Sequence, residues 1–347
     1  MSRIAFHFGG DKVEPGARRS VELPVGTLTD HTPVRLPVHV VHGRKPGPTV
    51  LVCAAIHGDE IVGVEIIRRL LAQRHLNQLR GTLMAVPIVN AFGFLSRSRY
   101  LPDRRDLNRC FPGSSHGSLA SRLANIFLGQ VVARADLVID LHSAAVHRTN
   151  LPQIRVNPDQ PRARELAKAF GAPVFMVSRV LEGSLREAAA EMGVDTLLYE
   201  AGEALRFDEP SVRVGLRGIL RVLRALEMLP ARRRQSDRVE SIETVGSQWV
   251  RAEHGGLFRG FKGAGDTVEA GDLLGVISDP FGANDIELQA PETGIVIGRT
   301  QLPLVHQGDA LFHVAGVRRA EIAEQCIEAY EAALQTDPMF DDDDEII

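Results

Sequence analysis

The feature that most constrains this chain is a short apolar run followed, after a polar turn, by a helical pattern. Residues 49–56 are apolar and rich in β-branched side chains, which is typical of a buried strand. From 61 to 71 the apolar residues recur at helical spacing, so we expect a helix there. His57 and Glu60 lie in the turn between them. A strand joined directly to a helix is typical of α/β sheets, which bind ligands at the carboxyl ends of their strands.

His57 and Glu60, three residues apart across this turn, could both point at one metal ion. A second apolar run, 135–141, ends at His142, and the alternation of side chains along a strand places Asp140 and His142 on one face. Two histidines and one glutamate form a known catalytic zinc set that leaves a position open for water. Alone, the first pair would also suit a turn histidine beside a solvated glutamate, but the second histidine favours the metal. The sequence thus predicts one zinc ion per chain, with Asp140 as a partner of a group that it does not identify.

Further apolar runs and helical patterns repeat this arrangement along the chain. Residues 18–44 alternate apolar and polar positions, which is typical of edge strands. The later elements are expected as strand 81–89, helix 118–132, helix 161–170, strand 173–177, helix 184–192, strand 195–200 and helix 211–229. Strands that alternate with helices form parallel sheets. We therefore predict an α/β domain over residues 1–235, with a mixed, mostly parallel sheet, helices on both faces and 1–44 as its leading edge strands.

Two glutamates, Glu200 and Glu203, follow the last predicted strand, and either could face the metal. Zinc lowers the pKa of a bound water to about 7, and a nearby carboxylate can take its proton and deliver it to a leaving nitrogen. Glu203 could instead pair with Arg206 in its own loop. Glu200 finishes an apolar strand and has no such local partner, so a purely structural role explains it less well.

The irregular loop 94–118 is a second candidate region, because long loops inside a compact domain are usually functional or disordered. Asn108 and Arg109 lie side by side in it. A guanidinium can grip a substrate carboxylate with two parallel hydrogen bonds, so this pair suits a substrate carboxylate. The alternative is a loop held together by local salt bridges, with Asp103 and Asp106 as the acidic partners.

The same loop also matches the G-x-S-x-G pattern of a serine hydrolase, with Ser115 as the nucleophile. That pattern requires a strand directly before it, and Pro112 argues against a central strand there. Cys110 is another conceivable nucleophile. A single loop thiol without a predictable histidine partner is more often inert.

Beyond the polar linker 230–238 the pattern changes to short strands and glycine turns, which predicts a small all-β barrel or sandwich over residues 239–316. Its repeated Gly-Asp turns resemble biotinyl and lipoyl carrier domains. Those domains carry a modified lysine at a hairpin tip, whereas Lys262, the last lysine of the chain, lies in an early turn. We therefore expect a structural or access-shaping role. Residues 317–347 are predicted to form a closing helix and an acidic tail, 341–345.

Composition limits the functions that are open to the chain. Its 347 residues, 44% hydrophobic with a formal net charge of -4, can bury the cores of two domains and lack the basic surface that non-specific nucleic-acid binding needs. The first residues contain no apolar segment, and no run is long enough to span a bilayer, which predicts a cytoplasmic protein without membrane association. Three cysteines without paired spacing fit a reducing compartment.

Four short motifs, taken together, resemble those of the succinylglutamate desuccinylase and aspartoacylase family, relatives of the zinc carboxypeptidases. In chain order they are His57-Gly58-Asp59-Glu60, Asp106-Leu107-Asn108-Arg109, Asp140-Leu141-His142 and Glu200-Ala201-Gly202. The resemblance covers about residues 45–315 and therefore both predicted domains. It implies a carboxypeptidase-like fold in which His57, Glu60 and His142 bind zinc.

By this resemblance Glu200 is the general base and acid. Asn108 and Arg109 are implied to hold the carboxylate of the substrate, with Arg99 as a further contact, and Arg186 is a looser counterpart of another substrate-binding arginine. The implied function is a zinc-dependent deacylase that hydrolyses the amide bond of an N-acylated amino acid or a similar small metabolite. A metallocarboxypeptidase acting on peptides and a non-catalytic metal-binding protein stay open as alternatives, as do the identity of the acyl group and a homo-oligomer.

Overall fold

The chain folds around one large mixed β-sheet. The computed structural model describes residues 3–231 and 241–335. The strands before residue 232 are β1 Phe6–Phe8, β2 Asp11–Val13, β3 Arg18–Thr27, β4 Pro33–His42, β5 Lys45–Ala54, β6 Arg80–Val86, β7 Leu137–Ala144, β8 Arg148–Val156, β9 Val174–Val177 and β10 Asp195–Glu203. Those after residue 240 are β11 Ile242–Thr244, β12 Gly246–Arg251, β13 Gly256–Gly260, β14 Thr267–Val268, β15 Leu273–Ser278, β16 Asp285–Gln289, β17 Gly294–Thr300, β18 Leu304–Val305 and β19 Ala310–Gly316.

The α-helices of these ranges cover the sheet and close the chain. They are α1 Val62–Ala72, α2 Ala91–Ser96, α3 Leu119–Ile126, α4 Pro161–Phe170, α5 Leu185–Glu191, α6 Glu209–Ala225 and α7 Ala320–Gln335. Within the described part of the chain, every helix is too short or too polar to cross a membrane. The loop predicted over 94–118 begins inside α2 and contains a short 3-10 turn at Leu107–Arg109.

Four parallel strands form the centre of the large sheet, in the order β10, β7, β5 and β6. On one side β4 and β3 continue it in antiparallel fashion, and on the other side β8 is antiparallel to β10. In this register Glu200 lies beside His142, and Cys53 lies beside Asp140. The polar ends of neighbouring strands therefore meet at one edge of the sheet. The predicted α/β class with a mixed sheet is confirmed.

Helices cover both faces of this sheet, as predicted. Because side chains alternate along a strand, Val50 and Val52 of β5 point to one face and Leu51 and Cys53 to the other. On the first face they pack in a core with α1, α4 and α6, and on the second in a core with α3 and α5. The two layers hold the strand ends rigidly, because both faces of the central strands are buried.

The β-module, residues 246–316, combines two sheets. β12, β19, β17 and β14 extend the large sheet, while β16, β15, β13 and β18 form a separate four-stranded antiparallel sheet. Their facing side chains, among them Leu274 and Phe312, form one core. β17 also pairs with β8, so hydrogen bonds run without interruption from the α/β part into the β-module. The predicted boundary at 235–239 and the acidic tail 341–345 lie outside the described residues.

β8 is a central strand that the sequence patterns did not predict. It contains Pro152, which is unusual inside a sheet because proline has no N–H to donate. The structure shows why it is tolerated: β8 pairs with β17 over 148–150 and with β9 over 153–156, so Pro152 falls between the two pairings. On its other edge the register with β10 shifts at the same place. The change of partner is a long-range feature that local periodicity does not reveal.

Candidate active site

Three buried side chains meet at the edge of the sheet, although they come from two distant segments. His57 and Glu60 occupy the turn between β5 and α1, and His142 lies near the end of β7. One potential ligand atom from each lies within 4.8 Å of the others, and each residue is at most 4% exposed. His57 Nδ1 is 2.6 Å from one oxygen of Glu60, and His142 Nδ1 is 2.7 Å from the other. The structure therefore brings the three predicted metal ligands together.

Each histidine has a second carboxylate behind it. His57 Nε2 lies 3.1 Å from Asp106 Oδ1, and His142 Nε2 lies 2.8 Å from Asp140 Oδ2. Carboxylates in this position orient metal-ligating histidines and raise the basicity of the ring. Two imidazole nitrogens and one carboxylate, with these partners behind them, match the donor set of an open zinc site. The residues present therefore fit the predicted metal, and Asp140, whose partner the sequence did not identify, binds His142.

The electrostatics of the cluster favour a positive charge at its centre. Burial by itself would raise the pKa of Glu60, but His57 and His142 outweigh it and hold that pKa well below its usual range. Burial would likewise lower the pKa of His142, but Asp140 and Glu60 raise it well above the ordinary value. Together with Asp106, three carboxylates surround two imidazoles. Such a site is stabilised by added positive charge, whether protons or a metal cation supply it.

Arg99 lies directly against this cluster. Its Nη2 donates a 2.8 Å hydrogen bond to Asp106 Oδ2, and its Nη1 donates a 3.2 Å hydrogen bond to Glu60 Oε1. Asp106 therefore connects His57 to Arg99, a role that the sequence patterns did not assign to it. Arg99 also lines the pocket beside the ligand set, so its predicted contact with a substrate in that pocket is sterically possible.

Glu200 and Glu203, the two candidate bases, have different surroundings. Glu200 lines the pocket; Asn150 Nδ2 donates a 2.7 Å hydrogen bond to its Oε2, and Arg155 Nη1 lies 3.9 Å from its Oε1. Glu203 accepts a 3.0 Å hydrogen bond from the backbone N–H of His147 and does not line this pocket of the described structure. Of the two, only Glu200 is placed to reach a substrate beside the ligand set.

The pocket itself measures about 230 Å³ and is strongly cationic. Besides the three ligands and Glu200, it is lined by Asn108, Asn150, Trp249 and five arginines, Arg99, Arg109, Arg148, Arg155 and Arg186. Asn108 is held by a 2.8 Å hydrogen bond from the backbone N–H of Leu185 to its Oδ1. Arg109 donates to the carbonyl of Asn108 at 2.6 Å and has no carboxylate partner within the described ranges. The predicted Asn-Arg pair therefore faces the same cavity as the ligand set.

Arg186 is the most deeply buried arginine of the pocket. It donates to Ser178 Oγ at 3.0 Å and to the carbonyl of Arg179 at 2.8 Å. Burial, with a further contribution from nearby Arg155, lowers its pKa to about 10, which leaves it charged at neutral pH. The loose counterpart predicted from the sequence therefore does contribute to the pocket.

The pocket residues that the sequence reasoning missed include one asparagine, two arginines and one tryptophan. Asn150, Arg155 and Arg148 belong to β8, and Trp249 belongs to β12 of the β-module. Arg148 lies over the Trp249 ring, 5.5 Å from its centroid. No motif marks these residues, because their place in the pocket depends on how β8 and β12 pair with strands that are distant in the sequence.

The two rival nucleophiles of the loop lie elsewhere. Ser115 is exposed, and it follows a 3-10 turn and a coil segment, whereas a serine elbow needs a strand directly before it. Cys110 Sγ donates to the carbonyl of Asp106 at 3.2 Å, and burial raises the pKa of its thiol. Neither residue lines the pocket with the ligand set. The structure therefore does not support a serine or cysteine hydrolase.

A family model, the succinylglutamate desuccinylase/aspartoacylase catalytic domain, matches residues 46–226, more than half of the chain. The chain belongs to this family. The matched region contains the ligand set, Glu200 and the Asn108-Arg109 pair, as the motif order predicted. Members of the family are hydrolases that remove acyl groups from small N-acyl amino acids.

Similar proteins are known from sequence and from solved structures. A curated relative from Halomonas elongata, N-alpha-acetyl-L-2,4-diaminobutyric acid deacetylase, is 29% identical over 82% of this chain and 86% of its own length. A succinylglutamate desuccinylase/aspartoacylase structure from Rhodobacter sphaeroides is 27% identical, with a TM-score of 0.79, over 87% of this chain and 96% of that one. The product-bound ectoine utilization protein EutE (DoeB) from Ruegeria pomeroyi is 27% identical, with a TM-score of 0.77, over 86% of this chain and 95% of that one.

Proposed function

We propose that this protein is a zinc-dependent deacylase that hydrolyses the amide bond of an N-acylated amino acid or a similar small metabolite. One observation carries the proposal: the buried set His57, Glu60 and His142 opens into a pocket that also contains Glu200. Membership of a deacylase family supports the reaction class. The small volume of the pocket supports a metabolite as the substrate.

The residues of the chain divide the work of such a reaction. Zinc held by His57, Glu60 and His142 would polarise the amide carbonyl and supply an activated water. Glu200 takes a proton from the attacking water and delivers it to the leaving nitrogen, so that the amine departs neutral.

Arginines that line the pocket orient the substrate. Asn108 and Arg109 hold its carboxylate, because an amide and a guanidinium without an acidic partner can both donate to it. Arg99, which touches the ligand set, contacts the substrate near the scissile amide. The relative from Halomonas elongata is named for an N-acetylated amino acid, so N-acetyl amino acids are the first substrates to test, followed by succinyl derivatives. We place the enzyme in the cytoplasm, because its sparse cysteines fit a reducing compartment.

The decisive experiment is a hydrolysis assay of the zinc-loaded protein against a panel of N-acyl amino acids, with short peptides as the competing class. Glu200→Gln should keep its zinc and lower kcat about a hundred- to ten-thousandfold, because proton transfer by a positioned carboxylate is worth that much. Glu203→Gln is the matched control, since Glu203 ends the same strand but does not line the pocket. It should retain most of the activity.

Three other outcomes would contradict parts of this proposal. Faster cleavage of peptides than of acyl amino acids would indicate a metallocarboxypeptidase. A zinc-replete protein that is inert towards both classes would indicate a non-catalytic metal-binding protein. Full activity in Glu200→Gln would remove Glu200 from the mechanism.

A further inference from the structure

Asn150 links the proposed general base to the β-module. It lies on β8, the strand shared by the two parts, and is paired with Gly202 of β10 on one side and with Gly298 of β17 on the other. Its Nδ2 donates a 2.7 Å hydrogen bond to Glu200 Oε2. A carboxylate accepts but does not donate, so this bond fixes which end of the amide faces Glu200. The amide oxygen, Oδ1, is left to face β17.

The space for that oxygen exists because residue 298 is glycine. A Cβ atom at Gly298 would lie 2.5 Å from Asn150 Oδ1, closer than such atoms approach in proteins. Gly298 is not among the residues with positive φ, so its backbone conformation does not require glycine. The other close contacts of such a Cβ would be Thr149 O at 3.3 Å and Asn150 Cγ at 3.6 Å. Alanine would therefore displace chiefly one movable side chain.

A glutamate base works only when its carboxylate is held in one orientation. Glu200 has several rotatable bonds, and side chains of this kind are positioned by hydrogen bonds from residues around them. Asn150 supplies the short hydrogen bond, while Arg155 lies at 3.9 Å from the other oxygen. We infer that Asn150 is a positioning residue for the general base, an inference that rests on the proposed function of Glu200. The β-module contributes through Gly298, because the missing side chain leaves the space that Asn150 needs in the conformation that reaches Glu200.

The first test removes the amide. Asn150→Ala should lower kcat about ten- to a hundredfold, the range expected for losing a hydrogen bond to a charged group, with KM and zinc content nearly unchanged. The same substitution in a Glu200→Gln background should cause no further loss, because a residue that acts only through Glu200 has nothing left to position. Equal losses in both backgrounds, or a wild-type kcat in Asn150→Ala, would overturn the inference.

The second test acts from inside the β-module. Gly298→Ala should lower kcat as Asn150→Ala does, and the double variant should be no slower than either single one. Gly246→Ala is the matched control, because a Cβ at Gly246 of the same module would meet nothing within 4 Å, and it should have wild-type activity. A Gly298→Ala enzyme that is as active as Gly246→Ala would show that the β-module does not support the base.

These results separate the inference from the proposed function. If the wild type deacylates and Glu200→Gln does not, the proposed function holds, and the Asn150 and Gly298 variants then decide the inference alone. If no substrate is cleaved, crystal structures of wild type and Gly298→Ala decide it. Loss of the bond between Asn150 and Glu200 with a displaced carboxylate supports the inference, and an unmoved carboxylate overturns it.

Discussion

The ligand pair His57 and His142 of the α/β part and His313 of the β-module are all buried, but their surroundings shift their pKa in opposite directions. His57 and His142 have a carboxylate near each ring nitrogen, and the pKa of both is raised although burial opposes it. His313 of β19 has one hydroxyl partner, Ser247 Oγ at 2.9 Å, and within the described ranges its Nδ1 has none. Burial, helped by nearby Arg155, lowers the pKa of His313 to about 3.

This difference in pKa shows which form of histidine each of the two environments stabilises. Burial alone favours the neutral form of an imidazole, and only the carboxylates of the α/β site reverse this. That site therefore suits a cation between its histidines, whereas the β-module uses a neutral imidazole as an aromatic packing unit. His313 stacks on Trp249 with ring centroids 4.4 Å apart. Trp249 in turn lines the pocket, so the packing of the module reaches the wall of the candidate active site.

The largest expected effect comes from removing a metal ligand. His142→Ala, or treatment of the wild type with a strong chelator, should remove zinc and lower activity on the order of a thousandfold or more, because the metal supplies several kcal/mol of transition-state stabilisation. His313→Gln should keep its full zinc content. Elemental analysis and the deacylation rate check both variants. Normal zinc binding by His142→Ala would show that His142 is not a metal ligand and so does not differ from His313 in this respect.

A smaller effect is expected where the β-module forms the wall of the pocket. Trp249→Ala removes the ring beneath Arg148, a contact worth about 0.5 to 2 kcal/mol. KM should therefore rise roughly threefold to thirtyfold while kcat changes less, because the polar contacts of Glu200 in the described structure are with Asn150 and Arg155 and not with Arg148. Trp249→Phe keeps a ring, so its KM should lie between those of the wild type and Trp249→Ala. An unchanged KM in Trp249→Ala would mean that the contact between Trp249 and Arg148 does not contribute to substrate binding.

The smallest effect is a dependence of stability on pH. Since the pKa of His313 is lowered in the folded state, the unfolded chain binds its proton first as the pH falls. The stability that neutral His313 contributes is therefore complete above about pH 6.5 and decreases towards pH 3, by at most about 1.4 kcal/mol per pH unit. The melting temperature of the wild type relative to His313→Gln should accordingly fall between pH 7 and pH 5. A constant difference over this range would show that His313 is not held neutral by burial.

Much of the α/β part followed from local patterns. Helix α4 occupies the predicted residues, Pro161–Phe170, and α5, Leu185–Glu191, lies within the predicted range 184–192. His57 and Glu60 lie in the turn after one apolar run and His142 lies near the end of another, and parallel strands bring such ends to one edge. The residues that support the ligand set and Glu200 did not follow from local patterns. Asp106 was assigned only to a local salt bridge, and β8 with Asn150 was not predicted at all.

What the sequence by itself determined was the candidate set of site residues, which short motifs mark, and the α/β order of the elements, because strand and helix periodicities are properties of short segments. The tertiary structure alone decided how that set is supported. β8 lies between β10 and β17 and changes partner at Pro152, which brings Gly298 against Asn150 and Asn150 against Glu200. Strand pairing over such separations depends on the packing of the whole sheet, so no local pattern records it.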